Sequence, residues 1–176
     1  MSFVNTLGMK VGEKDASGTY VGSLGKIVEI DGSLFRYVKA TGTMAAGSGG
    51  LFLATVEASG IRTWAVAVNG VINNRLVMGV IPAIDTKGVT VNTTAFAAGD
   101  VFLAQINGDT QVQVASSGVI ATAAIGASIM ADTNGLAALA ISSADVVAAI
   151  FRVGNATNTT AATSGTLRTV RLECRL

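Results

Sequence analysis

Apolar and polar residues alternate with a period of two over much of the chain, and glycine or Asn/Asp-Gly pairs interrupt the alternation at short intervals. The clearest case is Gly25–Ala40, GKIVEIDGSLFRYVKA. Val28 and Ile30 alternate with Ile27 and Glu29 before Asp31-Gly32, and Leu34, Arg36 and Val38 alternate with Phe35, Tyr37 and Lys39 after it. Asp-Gly supplies the positive φ angles of a tight turn, so this segment predicts a β-hairpin. Apolar residues fall on both faces of its second run. That predicts a core on one side and another covered surface on the other, with a neighbouring subunit as one candidate cover.

The same grammar continues with smaller side chains. Leu51–Val56 and Thr63–Val68 predict strands joined across Ser59-Gly60, with Asn69-Gly70 as the next turn. Leu76–Ile84 carries Pro82, which makes its end an edge or a bend, and Val89 and Val91 alternate within Thr86–Thr94. Asp100–Ala115 predicts a second hairpin, with Val101, Leu103 and Gln105 on one face and Asn107-Gly108 turning the chain into Gln111–Ala115. Val119–Ala124, Ser128–Ala131 and Leu136–Ile141 read as short strands. A helix over Leu136–Ile150 is the alternative that alanine favours, opposed by Ser142, Ser143 and Asp145 and by the β-branched residues that follow. Asn155–Ser164 is a polar loop before a closing strand, Thr166–Leu176.

Many short strands cut by glycine turns predict an all-β fold, a β-barrel or sandwich. Residues 1–23 mix Gly8, Gly12, Gly18 and Gly22 with Lys10, Glu13, Lys14 and Asp15 and sustain no strand period. They predict an extended N-terminal arm lying against the barrel or a neighbour, with Phe3 and Tyr20 as anchors if it docks, and a disordered tail as the alternative. Residues 24–176 form the β-barrel domain, within which 51–80 is a candidate inserted hairpin subdomain.

Composition adds the expectation of partners. Of 176 residues, 50% are hydrophobic and only 13% charged, which leaves little polar material to cover a free monomer and predicts an oligomer or an assembly component. The net charge is +1, with 12 basic and 11 acidic residues in no blocks, so nucleic acid is not an expected partner. The most apolar run, Leu136–Phe151, is short for a membrane span and is broken by Ser142, Ser143 and Asp145, so no membrane partner is expected either. No basic segment followed by an apolar run opens the sequence, so no secretion signal is expected.

With no histidine and one cysteine, Cys174, the sequence contains no Ser-His-Asp or Cys-His set, no histidine metal site and no internal disulfide framework. Gly47–Gly50, GSGG, lacks the Gly-Lys-Ser/Thr of a phosphate loop and reads as a flexible connector. Asp132-Thr133-Asn134-Gly135 opens like a calcium loop without the closing glutamate, so it reads as a polar turn. The carboxylate pairs Glu13/Asp15 and Glu29/Asp31 are expected to be solvated. Asn92-Thr93-Thr94, Asn155-Ala156-Thr157 and Asn158-Thr159-Thr160 match a glycosylation acceptor pattern and are read as loop composition. Neither an enzyme nor a cofactor is expected.

Gly25–Ala40, with its aromatic return strand ending in Tyr37-Val38-Lys39-Ala40, resembles the small decoration, or cement, proteins of tailed-bacteriophage heads. The resemblance continues through AAGDVFLAQINGDTQVQV (Ala97–Val114), ASIMADTNGLAALA (Ala127–Ala140), and VVAAIFRVGNAT before RTVRLECRL. It implies a β-barrel that binds the outer capsid surface of the expanded phage head and bridges major capsid proteins, as a homo-oligomer with a trimer favoured over a dimer. The interface residues expected on this reading are Phe3 and Tyr20 of the arm and the aromatic face of Phe35 and Tyr37, with Trp64 as a core or interface anchor. The competing reading is a carbohydrate-binding or adhesive β module, in which Trp64, Tyr20 and Tyr37 form a stacking platform.

Overall fold

The computed structural model describes residues 8–45, 47–55, 63–68, 77–91, 94–115, 129–132, 134–139, 151–156 and 166–174. Among these the regular structure is all-β apart from one turn of 3-10 helix at Val21–Ser23. The strands are β1 (Lys14–Asp15), β2 (Ile27–Ile30), β3 (Ser33–Ala40), β4 (Phe52–Thr55), β5 (Ala65–Val68), β6 (Val77–Val80), β7 (Val101–Gln113), β8 (Ile129–Ala131), β9 (Ala137–Leu139), β10 (Phe151–Ala156) and β11 (Leu167–Cys174).

Five of them close into a mixed barrel. β3 pairs parallel with β5, β5 antiparallel with β4, β4 with β6, β6 with β7, and β7 returns to β3. Closure removes the free edges that an open sheet of these strands would expose. Every stave contributes to one apolar cluster: Val38 and Ala40, Leu53, Val66, Met78, and Phe102 and Ala104, joined by Met44, Ile81 and Phe96. Phe96 and Phe102 stack with centroids 4.4 Å apart. The 51–80 segment supplies three of the staves, β4, β5 and β6. The sheet then runs on from β7 through β11 and β10 to the β8–β9 pair.

The β2–β3 hairpin forms as the sequence predicts. Asp31 and Gly32 have φ of 48° and 80°, and Ile30 faces Ser33 across the turn. The second predicted hairpin does not form. Val101–Gln113 is one strand of 13 residues. Its first half pairs with β3 through Asn107, and from Asn107 to Gln113 it pairs with β11. Asn-Gly is a bulge signal as well as a turn signal. Here Gly108, at φ 99°, bends the strand next to an irregularity in the β3 register between Leu34 and Phe35. Because β3 and β11 supply ladder partners to the two halves, the halves have no need to pair with each other. The buried Gln105 side chain secures the bend, donating its amide to the carbonyls of Asn107 (3.3 Å) and Asp109 (3.0 Å).

Two further clusters flank the barrel. Phe52, Val77 and Val80 pack with Val112, Val114, Ile129, Ala131, Ala137, Val170 and Leu172, which cements the second sheet to the barrel wall. On the other flank Met9, Val28, Phe35, Tyr37, Val101 and Leu103 form a cluster against which Val11, Tyr20, Leu24 and Ile30 pack. The described part of the arm, residues 8–23, thus lies against its own barrel, and β1 extends the ladder by pairing with Val101 and Phe102.

Two other expectations need correction or division. The GSGG stretch is not a loose connector: Ser48, Gly49 and Gly50 are buried, Gln113 donates its side-chain amide to the Gly49 carbonyl at 2.9 Å, and a Cβ on Gly49 would stand 2.7 Å from the Ala83 Cα. Its glycines serve close backbone approach. The Thr86–Thr94 alternation yields no strand among its described residues, only a bridge of Thr90 to Ile84. β8 and β9 form as the predicted strands and pair with each other, so Ala137–Leu139 is strand and not helix. Residues 140–150, the Val119–Ala124 strand and the turns at Ser59-Gly60 and Asn69-Gly70 lie outside the described residues.

Replacing Gln105 by Leu keeps the volume but removes the amide that donates to the part-buried Asn107 and Asp109 carbonyls; urea unfolding should show a loss of about 1–3 kcal/mol. Gly108→Val places a β-branched residue at positive φ, with its Cβ 3.0 Å from the Ser33 Cβ, and should cost about 2–4 kcal/mol. Wild-type midpoints for both variants would contradict the assignment of the bend.

Candidate functional site

The aromatic residues singled out from the sequence do not assemble into an exposed surface. Phe35 is 1% and Tyr37 0% exposed, because the arm covers the face of β3 from which they project. Their expected exposure is corrected on this point: the second covered surface of β3 is covered from within the chain. Tyr20 is half-buried and stacks on Tyr37 at 5.8 Å between centroids, with the rings 21° apart, which makes it the anchor of the docked arm. Phe3 lies outside the described residues.

Trp64 stands apart from this pair. It adopts a left-handed φ of 57°, packs against the barrel cluster, and carries the Arg36 guanidinium 4.7 Å from its ring centroid. It also covers Gly25, where a Cβ would fall inside the indole. Arg36 shares the β3 face of Val38 and Ala40 by the period of two, so its charge is held in a largely buried position against the indole. The stacking platform required for an adhesive module, with Trp64, Tyr20 and Tyr37 side by side, is absent.

The acidic residues act mainly as loop clasps. Asp15 accepts hydrogen bonds from the backbone N–H and hydroxyl of Ser17 and from the Tyr20 N–H. These bonds, the Ser17 hydroxyl foremost, hold its carboxyl below the ordinary carboxylate range. Asp85 accepts from the N–H groups of Lys87 and Val89, Asp100 from Ala97, and Asp132 from Asn134 and Leu136. The Asp132 turn is thus an Asx clasp between β8 and β9, the polar turn expected of it. Among the described residues, no three His, Cys, Asp or Glu side chains gather as metal ligands.

One polar cleft, of about 340 Å³, opens at the bend of β7. The hairpin turn Asp31-Gly32-Ser33 forms one wall and Ile84–Thr86 with Gly88 another, joined where the Thr86 hydroxyl donates to Asp31 Oδ2 at 2.7 Å. Gly108, Asp109 and Thr110 of β7 and Thr169 and Arg171 of β11 complete it. Arg171 and Asp109, cross-strand neighbours, face each other at 3.6 Å and remain largely exposed. Sequence reasoning missed this cleft because its residues come from four separated segments.

No protein-family model matches the chain, and no curated protein matches it in sequence. Among solved structures it is similar to the N base of the head fiber gp8.5 of bacteriophage phi29, with a TM-score of 0.43 and 16% identity. The match covers 81% of this chain and 96% of that one.

Burial pushes the Tyr37 phenol up to about 12, with repulsion from Tyr20 and Glu13 adding to the effect. The unfolded chain ionises this phenol near its ordinary value of 10.0, so the native state loses relative stability as pH rises from there towards 12 and is unaffected below. Tyr37→Phe should therefore flatten the alkaline fall in melting temperature without changing its neutral-pH slope. Parallel pH profiles for the two proteins would contradict the burial of this hydroxyl.

Proposed function

We propose that the chain is a structural protein of a bacteriophage virion: a decoration protein that sits on the outer surface of the expanded head, bridges major capsid proteins and stabilises the shell. It is not an enzyme on this reading, needs no cofactor, and engages neither nucleic acid nor membrane. It acts as a homo-oligomer, with a trimer on a local threefold axis favoured over a dimer.

The observation that carries the reading is mechanical. One strand, β7, is shared by the barrel and the flanking sheet, and the arm is docked on the same strand, so a load applied to one unit passes into the other through a hydrogen-bonded ladder. A bridging protein on a pressurised shell needs such a body. Further support comes from the sequence resemblance carried by Gly25–Ala40 and from the low charge content. Exposed Val21, Ile27, Val89 and Leu167 offer apolar contacts to neighbours. Repetition over a lattice then converts modest single contacts into large total stabilisation.

Co-sedimentation of the purified chain with expanded, undecorated heads of its own virus, alongside unexpanded proheads, tests this function. Saturable binding to expanded heads alone is the expected result. Binding to neither particle would overturn the decoration role.

A further inference from the structure

We infer that the cleft at the bend of β7 binds a neutral saccharide, a role separate from attachment to a capsid. Its chemistry narrows the ligand class. Apart from Ile84 the side chains lining it are polar or absent, which disfavours an apolar ligand. Three aspartates, Asp31, Asp85 and Asp109, against the single Arg171 disfavour an anion, and no set of three metal-ligating side chains is present among the described residues. What remains is a mixed surface of acceptors and donors: carboxylates, the Ser33, Thr86, Thr110 and Thr169 hydroxyls, and a guanidinium. Sugar hydroxyls, each both donor and acceptor, match such a surface. A volume of about 340 Å³ lies at the lower end of the range of small-molecule sites.

A second observation points the same way. Thr110 belongs to the cleft lining and is 1% exposed, yet its hydroxyl has no hydrogen-bonding partner. Buried hydroxyls are ordinarily satisfied, so this orphan marks a polar group in the lining for which the fold itself supplies no partner. The walls are also fixed in advance. The Asp31–Thr86 bond ties the hairpin turn to the 84–88 loop, and the Gln105 clasp holds the bend from which Gly108, Asp109 and Thr110 line the cleft. A sugar would meet a preformed site and not one that has to be ordered. Stacking on an aromatic ring plays no part, since no aromatic residue lines the cleft.

The test is amide chemical-shift mapping of the full-length chain titrated with methyl glycosides of glucose, galactose, mannose and N-acetylglucosamine, and with the same sugars in neutral polysaccharides. Spermidine and inorganic phosphate serve as charged controls. Saturable shifts confined to Ser33, Gly108–Thr110 and Thr169–Arg171 are expected with at least one sugar, in free or polymeric form. Asp109→Asn and Arg171→Ala alter an exposed pair and should leave the melting temperature unchanged while weakening that binding about tenfold. Thr110→Val should weaken it in the same direction without lowering thermal stability. Absence of saturable shifts with every sugar, shifts that survive all three substitutions, or shifts produced by spermidine or phosphate in place of a sugar would each overturn the assignment.

Discussion

The structure depends on the continuity of β7 through its bend. A barrel stave and a strand of the flanking sheet must be the same piece of chain, and a 13-residue strand can serve both only if it changes direction without breaking its ladders. Gly108 supplies the backbone conformation and Gln105 supplies the donors for the carbonyls that the bend would strand. Everything else takes its place from there. β3 ends its pairing at the bend, β11 begins there, and the polar cleft is the space between the turn that precedes β3 and the strand that diverges from it.

Around that joint the chain uses its few polar groups sparingly. Its carboxylates clasp turns, its glycines let backbones approach, and its largest side chains fill three adjoining clusters. The arm contributes Met9, Val11 and Tyr20 to one of them, so it is a structural member of the monomer. The proposed capsid-bridging role draws on the position and stiffness of a body assembled in this way.

Local grammar was legible in the sequence wherever a strand's partner lay nearby. Asp31-Gly32 predicted the first hairpin because the turn and both strands are contiguous, and the β8–β9 turn at Asp132 was legible for the same reason. The signal at Asn107-Gly108 was misread, since a positive φ specifies a kink and only the partners decide whether the kink is a turn or a bulge. Those partners, β3 and β11, are remote in sequence. Likewise the aromatic stripe of Phe35 and Tyr37 announced a covered face but not that the arm covers it. GSGG announced flexibility where Ala83 and Gln113 demand absent side chains. The cleft was invisible because Ser33, Asp85, Thr110 and Arg171 have no shared spacing.

Native-state amide hydrogen exchange across β7 examines the central claim directly. If one strand joins barrel and flanking sheet into a single cooperative body, amides of Phe102–Ala104 and of Thr110–Val112 will share the same limiting free energy of opening and the same dependence on urea. Independent, lower-energy opening of Thr110–Val112 would contradict it. The flanking sheet would then be a detachable layer, unable to transmit load to the barrel.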